Sequence, residues 1–241
     1  MTVDTKITIG EIVAEDFRTA AVFSAYGIDF CCKGDRTLEE VCEKKNLSET
    51  EVSEKLSQAV NAASGQAADY LSWPMDLLID YIEKKHHRYI EEKTPVLLQF
   101  LNKLCKVHGH RHPELFTVNE WFLQSAGDLA SHLKKEELIL FPFIRKMLKA
   151  KAEQQPVGMP NFGTVENPVS MMKAEHLTEG ERFEAIAKIT DNYTPPADAC
   201  STYRVTFAML AEFEQDLHTH IHLENNILFP KAIALEKELQ N

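Results

Sequence analysis

The apolar residues of this chain recur with the spacing of α-helices, and no segment shows the sustained alternation of a β-strand. Near the N-terminus this pattern predicts three short helices. The first runs from about Ile9 to Ala25 and ends at Gly27, a residue that favours a helix C-cap. The second begins at Thr37, which opens a capping-box sequence, and the third begins at Ser48.

A short stretch of small and polar residues separates this block from a longer one. Residues 62–68 have the sequence Ala-Ala-Ser-Gly-Gln-Ala-Ala, which is typical of a linker. Beyond it, the helical pattern predicts two pairs of long helices, which pack most simply as an antiparallel bundle. We therefore predict an all-α protein with a small helical domain at residues 1–62 and a four-helix bundle at residues 72–241.

One polar pattern occurs twice inside the predicted bundle. His132 and Glu136 precede an Ile-Leu-Phe-Pro sequence, and His220 and Glu224 precede the same sequence 88 residues later (228 − 140 = 88). Residues four apart lie on the same face of a helix, so each pair directs an imidazole and a carboxylate to one point. A single pair of this kind is common on helix surfaces, but two pairs in a duplicated segment predict a metal site.

The repeat also indicates ligands on the first helix of each pair. The offset of 88 residues carries His176 to a position next to His87 and His86. His86 continues the apolar face of its helix, so helix periodicity alone favours His86 over His87. A slipped second copy is a further alternative, because His222 pairs with His218 at the same spacing. The predicted ligands are His87 (or His86), His132, Glu136, His176, His220 and Glu224.

Four imidazoles and two carboxylates suit two iron or manganese ions better than one zinc ion. A structural zinc ion takes four ligands and commonly includes thiolates, whereas His and carboxylate ligands in a bundle core are typical of di-iron and di-manganese sites. If both glutamates bridge, each metal receives two histidine nitrogens and two carboxylate oxygens. An oxo or hydroxo bridge would add a fifth ligand and leave one position for a small diatomic molecule.

Composition excludes several classes of function. The formal net charge of −11 disfavours nucleic acid and anionic membranes as partners. No apolar run approaches the roughly 20 residues of a membrane span, and the N-terminus lacks the pattern of a secretory signal. The five cysteines are scattered and do not resemble a disulfide framework. We therefore expect a cytoplasmic protein with no nucleic-acid or membrane partner.

Two adjacent cysteines are the remaining candidates for chemistry. Cys31 and Cys32 lie in a short predicted loop next to Lys33 and Arg36. Positive neighbours lower the pKa of a thiol, which favours a redox or metal-transfer role. The alternative is a purely structural role at the junction between two helices.

Taken together, these residues resemble the iron–sulfur cluster repair proteins, the repair-of-iron-centres family of hemerythrin-like di-iron proteins. The resemblance covers nearly the whole chain. It is carried by Asp29-Phe30-Cys31-Cys32, residues 80–87 and 106–108, both copies of the repeat, Glu175-His176, and Thr194-Pro195-Pro196 with Cys200. It implies a hemerythrin-like four-helix bundle that holds two oxo-bridged, non-haem iron ions, with His87 as the first ligand.

The resemblance also implies a function, namely the repair by iron donation of iron–sulfur clusters damaged by nitric oxide or oxidants. The expected partners are damaged iron–sulfur proteins, nitric oxide or oxygen as small ligands, and a second copy of the chain in a homodimer. Two alternatives stay open. One is reduction of nitric oxide at the two irons, which needs an electron source. The other is reversible binding or sensing of oxygen or nitric oxide, which the four-histidine set disfavours because hemerythrin oxygen carriers generally have five histidines.

Overall fold

The computed structural model describes residues 4–61 and 68–240, and these residues form eight α-helices and no β-strand. The four short N-terminal helices are α1 (Ile9–Glu15), α2 (Ala20–Ala25), α3 (Leu38–Lys45) and α4 (Glu49–Asn61). The third long helix, α7, is Glu166–Ile189. The other three long helices each consist of an α-helical, a π-helical and a second α-helical segment. These are α5 (Met75–Tyr81, Ile82–His87, Arg88–His108), α6 (Glu114–Lys135, Glu136–Leu140, Phe141–Glu153) and α8 (Ser201–His222, Leu223–Leu228, Phe229–Gln240).

The four long helices form an antiparallel bundle. They pack in a closed ring, in which α5 contacts α6, α6 contacts α7, α7 contacts α8, and α8 returns to α5. This confirms the predicted all-α, four-helix architecture. Within the part of the chain that the structure describes, no helix has the length and apolar character needed to cross a bilayer.

The apolar core of the bundle lies in two separate clusters. One cluster fills the end of the bundle that includes Leu101, Phe122 and Phe213, and the other fills the end that includes Ile144 and Phe229. Between the two clusters, the long helices bury a layer of histidine and glutamate side chains. Buried ionisable groups are costly without partners, so this layer is the first indication of a site.

The N-terminal helices lie against the bundle, and their buried residues Ile9 and Leu38 belong to the same cluster as Leu101. Helix α1 contacts the π-helical segment of α8. A Cβ atom at Gly10 would lie only 2.5 Å from the Asn226 side-chain oxygen, so this close approach requires glycine. The predicted linker, residues 62–68, lies outside the described residues except for Ala68.

The prediction of one helix from Ile9 to Ala25 was wrong, because the chain leaves the helix at Asp16. The backbone of Asp16 is extended (φ −146°), and its side chain accepts a hydrogen bond of 3.0 Å from the Arg18 N–H. Such a local side-chain bond competes with helical hydrogen bonds. The capping box at Thr37 and the left-handed cap at Gly27 (φ 60°) are confirmed.

Candidate metal centre

The six predicted ligands come together between the two apolar clusters. They form two groups of two histidines each, and both groups include the same two glutamates. The groups are His87, His220, Glu136 and Glu224, and His132, His176, Glu136 and Glu224. Within each group the candidate ligand atoms all lie within 4.8 Å of one another, and none of the six residues is more than 3% exposed.

The two glutamates have the geometry of bridging ligands. Glu224 Oε1 lies 3.1 Å from His220 Nε2, while its Oε2 lies 3.1 Å from His176 Nε2. Each of the two oxygens of Glu224 therefore faces a different group. A carboxylate placed in this way can bind two metal ions at once.

Glu136 repeats this arrangement from the opposite side. Its Oε2 lies 3.4 Å from His87 Nε2, and its Oε1 lies 3.4 Å from His132 Nε2. The Nε2 atoms of His132 and His176 are 2.9 Å apart. Two nitrogens at about 2.1 Å from one metal, at a right angle, would be about 3.0 Å apart, so this spacing fits two ligands of a shared ion.

The buried carboxylates lack other partners. Among the described residues, no hydrogen-bond donor reaches either oxygen of Glu136 or of Glu224, and His87 Nε2 and His220 Nε2 also make no hydrogen bond. Two buried carboxylates without a hydrogen-bond donor carry a large desolvation cost, which bound cations offset. The donor set therefore fits a pair of cations.

Electrostatics shifts the pKa values of these imidazoles in different directions. Although burial opposes it, the hydrogen bond and charge of Glu136 raise the pKa of His87 to about 9, so this donor must lose a proton before it binds a metal. Burial lowers the pKa of His132 and of His220 to about 4 each, so both imidazoles are neutral at pH 7 and have a free lone pair. Burial and the nearby Glu224 raise the pKa of Glu136 well above its usual range. These two negative groups therefore repel each other when both are ionised, and positive charge between them relieves the repulsion.

Three of the ligands lie in or beside π-helical segments. His87 is the last residue of the segment in α5, Glu136 is the first of the segment in α6, and Glu224 lies in the segment of α8. A π-helical turn contains one residue more than the regular helix, which rotates the residues after it, and such turns are frequent at functional sites. A residue that follows such a turn no longer continues the helix face of the residues before it.

This rotation explains the ambiguity between His86 and His87. His87 lies in the ligand group, whereas His86 Nδ1 lies 3.0 Å from Asp216 Oδ2 and the His86 ring stacks on His220. The apolar period of α5 favoured His86 because it assumed a regular α-helix. The sequence offered no signal for Asp216.

The π-helical segments of α6 and α8 do have a signal in the sequence. Each is followed directly by Phe-Pro, at Pro142 and at Pro230. Proline has no N–H to donate and its ring clashes with the carbonyl four residues earlier, so it disturbs regular α-helical bonding at this point. The repeated Ile-Leu-Phe-Pro sequence thus marks the place where the helix widens.

The alternative ligand His222 lies outside both groups. Asn226 Nδ2 lies 2.9 Å from His222 Nδ1, and the His222 ring packs against Phe17 and Phe30. His222 therefore belongs to the contact between the bundle and the N-terminal helices. The slipped register is not the one that the structure brings together.

Two residues orient the imidazoles from equivalent positions of the repeat. Glu137 and Asn225, which are 88 residues apart, each follow a central glutamate. Glu137 Oε1 lies 2.8 Å from His87 Nδ1, and Asn225 Oδ1 lies 2.9 Å from His176 Nδ1. Each oxygen can accept the Nδ1–H of its histidine, which directs Nε2 toward the centre. No pattern in the sequence indicated that Asn225 contacts a ligand histidine.

A third histidine, His132 on α6, is oriented by Glu175 on the neighbouring helix α7. His132 Nδ1 lies 2.8 Å from Glu175 Oε2, and Glu175 also pairs with Lys135. These residues line a cavity of about 250 Å³ that also borders His176 and His220. Three of the candidate ligands therefore face a space that can admit a small molecule.

The cysteine pair lies close to this centre. Cys31 is buried and Cys32 is partly exposed. The Cys32 thiol donates to the His176 carbonyl oxygen at 3.3 Å, and Asn225 Nδ2 donates to the Cys31 carbonyl oxygen at 3.0 Å. The loop that carries the two thiols therefore contacts both the backbone of His176 and the side chain that orients its ring.

The fold and the two ligand groups define a hemerythrin-like cation-binding protein. Residues 78–232 match the family described as the hemerythrin HHE cation binding domain, and the chain belongs to this family. Residues 5–60 match ScdA_N, which is described as a domain of unknown function.

Relatives extend over nearly the whole chain. It is 34% identical over 229 residues to the iron-sulfur cluster repair protein YtfE of Musicola paradisiaca. The aligned residues cover 95% of this chain and 97% of the relative. It is 34% identical over 228 residues to the protein of the same name from an Enterobacter species, with the same coverage. It is also 34% identical over 213 residues to a probable iron-sulfur cluster repair protein of Haemophilus influenzae, with 88% and 90% coverage.

Proposed function

We propose that this protein repairs iron–sulfur clusters damaged by nitrosative or oxidative stress, by donating iron from a centre of two iron ions. The observation that carries the proposal is the pair of buried carboxylates, each with one oxygen toward each histidine pair. The names of the three relatives support the repair role. The proposed iron ligands are His87, His132, Glu136, His176, His220 and Glu224.

The ligand set suits iron that is held and then released. Bound iron would supply the ions that a damaged cluster has lost. Imidazoles and shared carboxylates form the donor set here, whereas a client protein offers cysteine thiolates at its cluster site. Thiolates are charged and softer ligands than imidazoles, so a client with several of them competes well for iron. This difference favours the transfer of iron from this protein to the client over the reverse transfer.

The proposal divides the work between two parts of the chain. The bundle, residues 72–241, would hold the iron, and the N-terminal part, residues 1–62, would act in its transfer to a client. The contacts of Cys32 and of Asn225 around His176 support this division, because they connect the cysteine loop to one of the ligands. In this proposal Cys31 and Cys32 take part in redox chemistry or iron transfer.

One observation favours a second candidate function. The cavity of about 250 Å³ borders three of the four ligand histidines, so a diatomic molecule can reach the centre. Reduction of nitric oxide, or reversible binding of nitric oxide or oxygen, would use this route. Reduction also needs an electron donor from outside the chain.

The test is a transfer experiment with isotopically labelled iron. The protein is loaded with ⁵⁷Fe and mixed anaerobically with a [4Fe–4S] dehydratase whose cluster has been damaged by nitric oxide. We expect the client to regain activity and to contain ⁵⁷Fe in its cluster by Mössbauer spectroscopy after the two proteins are separated. Free ferrous iron at the same concentration is the control.

Equal recovery with free iron, or a repaired client without ⁵⁷Fe, would contradict donation. Steady formation of nitrous oxide in the presence of a reductant would instead favour the enzyme. Stoichiometric, reversible binding of nitric oxide or oxygen without either result would favour a sensor or carrier.

A further inference from the structure

A third cluster of metal-ligating atoms lies in the loop between α2 and α3, outside the histidine and glutamate centre. A carboxylate oxygen of Asp29 and the sulfurs of Cys31 and Cys32 all lie within 4.8 Å of one another. The two sulfurs are 3.5 Å apart, and Cys31 Sγ is 3.3 Å from Asp29 Oδ1. In a tetrahedral site with metal–sulfur bonds of about 2.3 Å, two sulfurs are about 3.8 Å apart, so the spacing needs little change.

The loop is held in this shape by its own backbone. Asp29 Oδ1 accepts hydrogen bonds from the backbone N–H groups of Cys31 and Cys32, at 3.1 and 2.9 Å. These two bonds fix the turn that directs both thiols to the same side as the carboxylate. Ligands that are oriented before binding lose less entropy when the metal arrives.

The bundle holds the same loop from outside. Asn225 Nδ2 donates to the Cys31 carbonyl oxygen, and Asn226 Nδ2 donates to the Phe30 carbonyl oxygen at 3.2 Å. The Gly10 N–H on α1 donates to the Gly34 carbonyl oxygen at 2.8 Å. Donors from two different helices therefore fix the backbone on both sides of the cysteine pair.

We propose that Asp29, Cys31 and Cys32 bind one divalent metal ion of the zinc and ferrous-iron class, at a mononuclear site distinct from the histidine and glutamate centre. Two thiolates and one carboxylate form a soft, negatively charged donor set, which selects such ions over magnesium or calcium. Three protein ligands leave a fourth position for water or for a thiolate of a client. Binding releases two thiol protons and changes no oxidation state.

Burial makes deprotonation of Cys31 depend on a bound metal. Cys31 is 2% exposed, and burial raises the pKa of its thiol well above the usual range, contrary to the lowering expected from Lys33 and Arg36. A buried thiol is inert while it is protonated, but a thiol that binds a metal ion releases its proton to water, because the metal stabilises the thiolate. Cys32 is partly exposed and provides the side from which an ion can enter.

The cysteine site lies against the larger centre. The Cys32 thiol donates a hydrogen bond of 3.3 Å to the His176 carbonyl oxygen. The proposed metal site at the cysteine pair does not depend on the proposed iron centre.

Cobalt is a suitable probe, because thiolate ligands give Co²⁺ an intense charge-transfer absorption and imidazole or carboxylate ligands do not. Full-length, iron-loaded protein is titrated with Co²⁺ under anaerobic conditions, and difference spectra are recorded. We expect one equivalent of thiolate–cobalt absorption per chain, which Zn²⁺ then removes by displacement. Absence of this absorption in the unaltered protein would overturn the proposal.

Matched variants assign the signal to its residues. Cys31→Ser and Cys32→Ser should lose the absorption. Asp29→Asn should weaken Co²⁺ binding at least as much as the roughly 10- to 100-fold typical of an outer-shell partner. Cys200→Ser is the control, because Cys200 is an exposed thiol whose contact is with His108 Nε2, at 3.2 Å, and not with the cysteine loop.

A signal that persists in Cys31→Ser/Cys32→Ser, or that disappears in Cys200→Ser, would overturn the assignment. Iron content measured on the same samples reports the histidine and glutamate centre separately. A variant that keeps its iron but loses the cobalt signal is folded and lacks only the cysteine site. Failure of iron donation would leave this cobalt result unaffected, so the two proposals can fail independently.

Discussion

The two halves of the bundle contribute the same ligand types but surround them differently. In the half made of α5 and α6, the residue after the central glutamate is Glu137, whose carboxylate accepts from His87. In the half made of α7 and α8, the equivalent residue is Asn225, whose amide contacts His176. One half orients its histidine with a charged group, and the other uses a neutral group.

The exposure of equivalent positions also differs between the two copies of the repeat. In the first copy, Glu137 is half-buried and Ile139 is 50% exposed. In the second copy, the equivalent residues Asn225 and Ile227 are buried, and Asn225 also donates to the carbonyl oxygen of Cys31. The contacts described for the cysteine loop are therefore with the half of the bundle made of α7 and α8.

This difference indicates how the centre can be controlled. A carboxylate partner makes an imidazole a more basic ligand, whereas an amide donates and accepts and can connect two groups. Asn225 joins the ring of His176 to the backbone of the cysteine loop. We therefore expect a metal bound at the group of His132 and His176 to respond to changes in the loop, and a metal bound at the group of His87 and His220 to respond less.

The largest expected effect comes from the two central glutamates, because each faces both ligand groups. Glu136→Ala and Glu224→Ala should each lower the metal content of the chain from about two ions to nearly none, because each carboxylate faces both groups. Elemental analysis of anaerobically purified protein measures this, with the exposed Glu120→Ala as the control. Normal metal loading in both variants would show that the bridging assignment is wrong.

A smaller effect is expected from a change confined to the first half. His87→Ala should lower the content to about one ion, since Glu136, Glu224, His132 and His176 still form a complete group. His86→Ala is the matched neighbour and should keep both ions. The reverse result, with loss only in the His86 variant, would mean that the helix periodicity had identified the ligand correctly.

The contrast between these two histidines shows what the sequence could supply. The repeat predicted His132, Glu136, His220 and Glu224 as ligands, and the structure brings these residues together, because residues four apart lie on the same face of a helix. His87 could not be chosen from periodicity, because the π-helical segment in α5 changes the register and no proline marks it.

Sequence patterns could not predict contacts between distant parts of the chain. The bonds from Asn225 to Cys31 and from Cys32 to His176 join residues 194 and 144 positions apart. Such pairs follow from how the N-terminal loop docks on α7 and α8, and local spacing carries no information about that docking. The break at Asp16 was missed for a different reason, since a single side-chain bond overrode the helical pattern.

The next prediction concerns Asn225, which connects His176 to the cysteine loop. Asn225→Leu leaves His176 Nδ1 and the Cys31 carbonyl without their partner. We expect one of the two ions to be released to a chelator roughly 10- to 100-fold faster, in line with other outer-shell partners. Stopped-flow chelation measures the two phases, and the exposed Asn102→Leu is the control.

Glu137→Gln is the corresponding change in the half made of α5 and α6, because Glu137 occupies the equivalent position of the repeat. It should accelerate release of one ion without any change at the cysteine loop, because Glu137 contacts His87 and not Cys31. If Asn225→Leu and Glu137→Gln released both ions equally fast, the two halves would not act as separate units.

The smallest effect concerns two helical glycines, one in each half. A Cβ atom at Gly127 in α6 meets nothing within 4 Å, whereas a Cβ atom at Gly180 in α7 would lie 2.9 Å from Cys32 Sγ. Gly127→Ala should therefore stabilise the protein by about 0.5–1 kcal/mol through helix propensity. Gly180→Ala should lose that gain, because the cysteine loop must shift.

Chemical denaturation measures both variants, and a double variant separates the two terms. In Gly180→Ala/Cys32→Ala the obstructing sulfur is absent, so the propensity gain should return and the two changes should be non-additive. Equal stabilisation by Gly127→Ala and Gly180→Ala would mean that the loop does not lie against α7 in solution. The coupling between the cysteine pair and His176 would then lose its structural basis, while the arrangement of the six metal ligands would be unaffected.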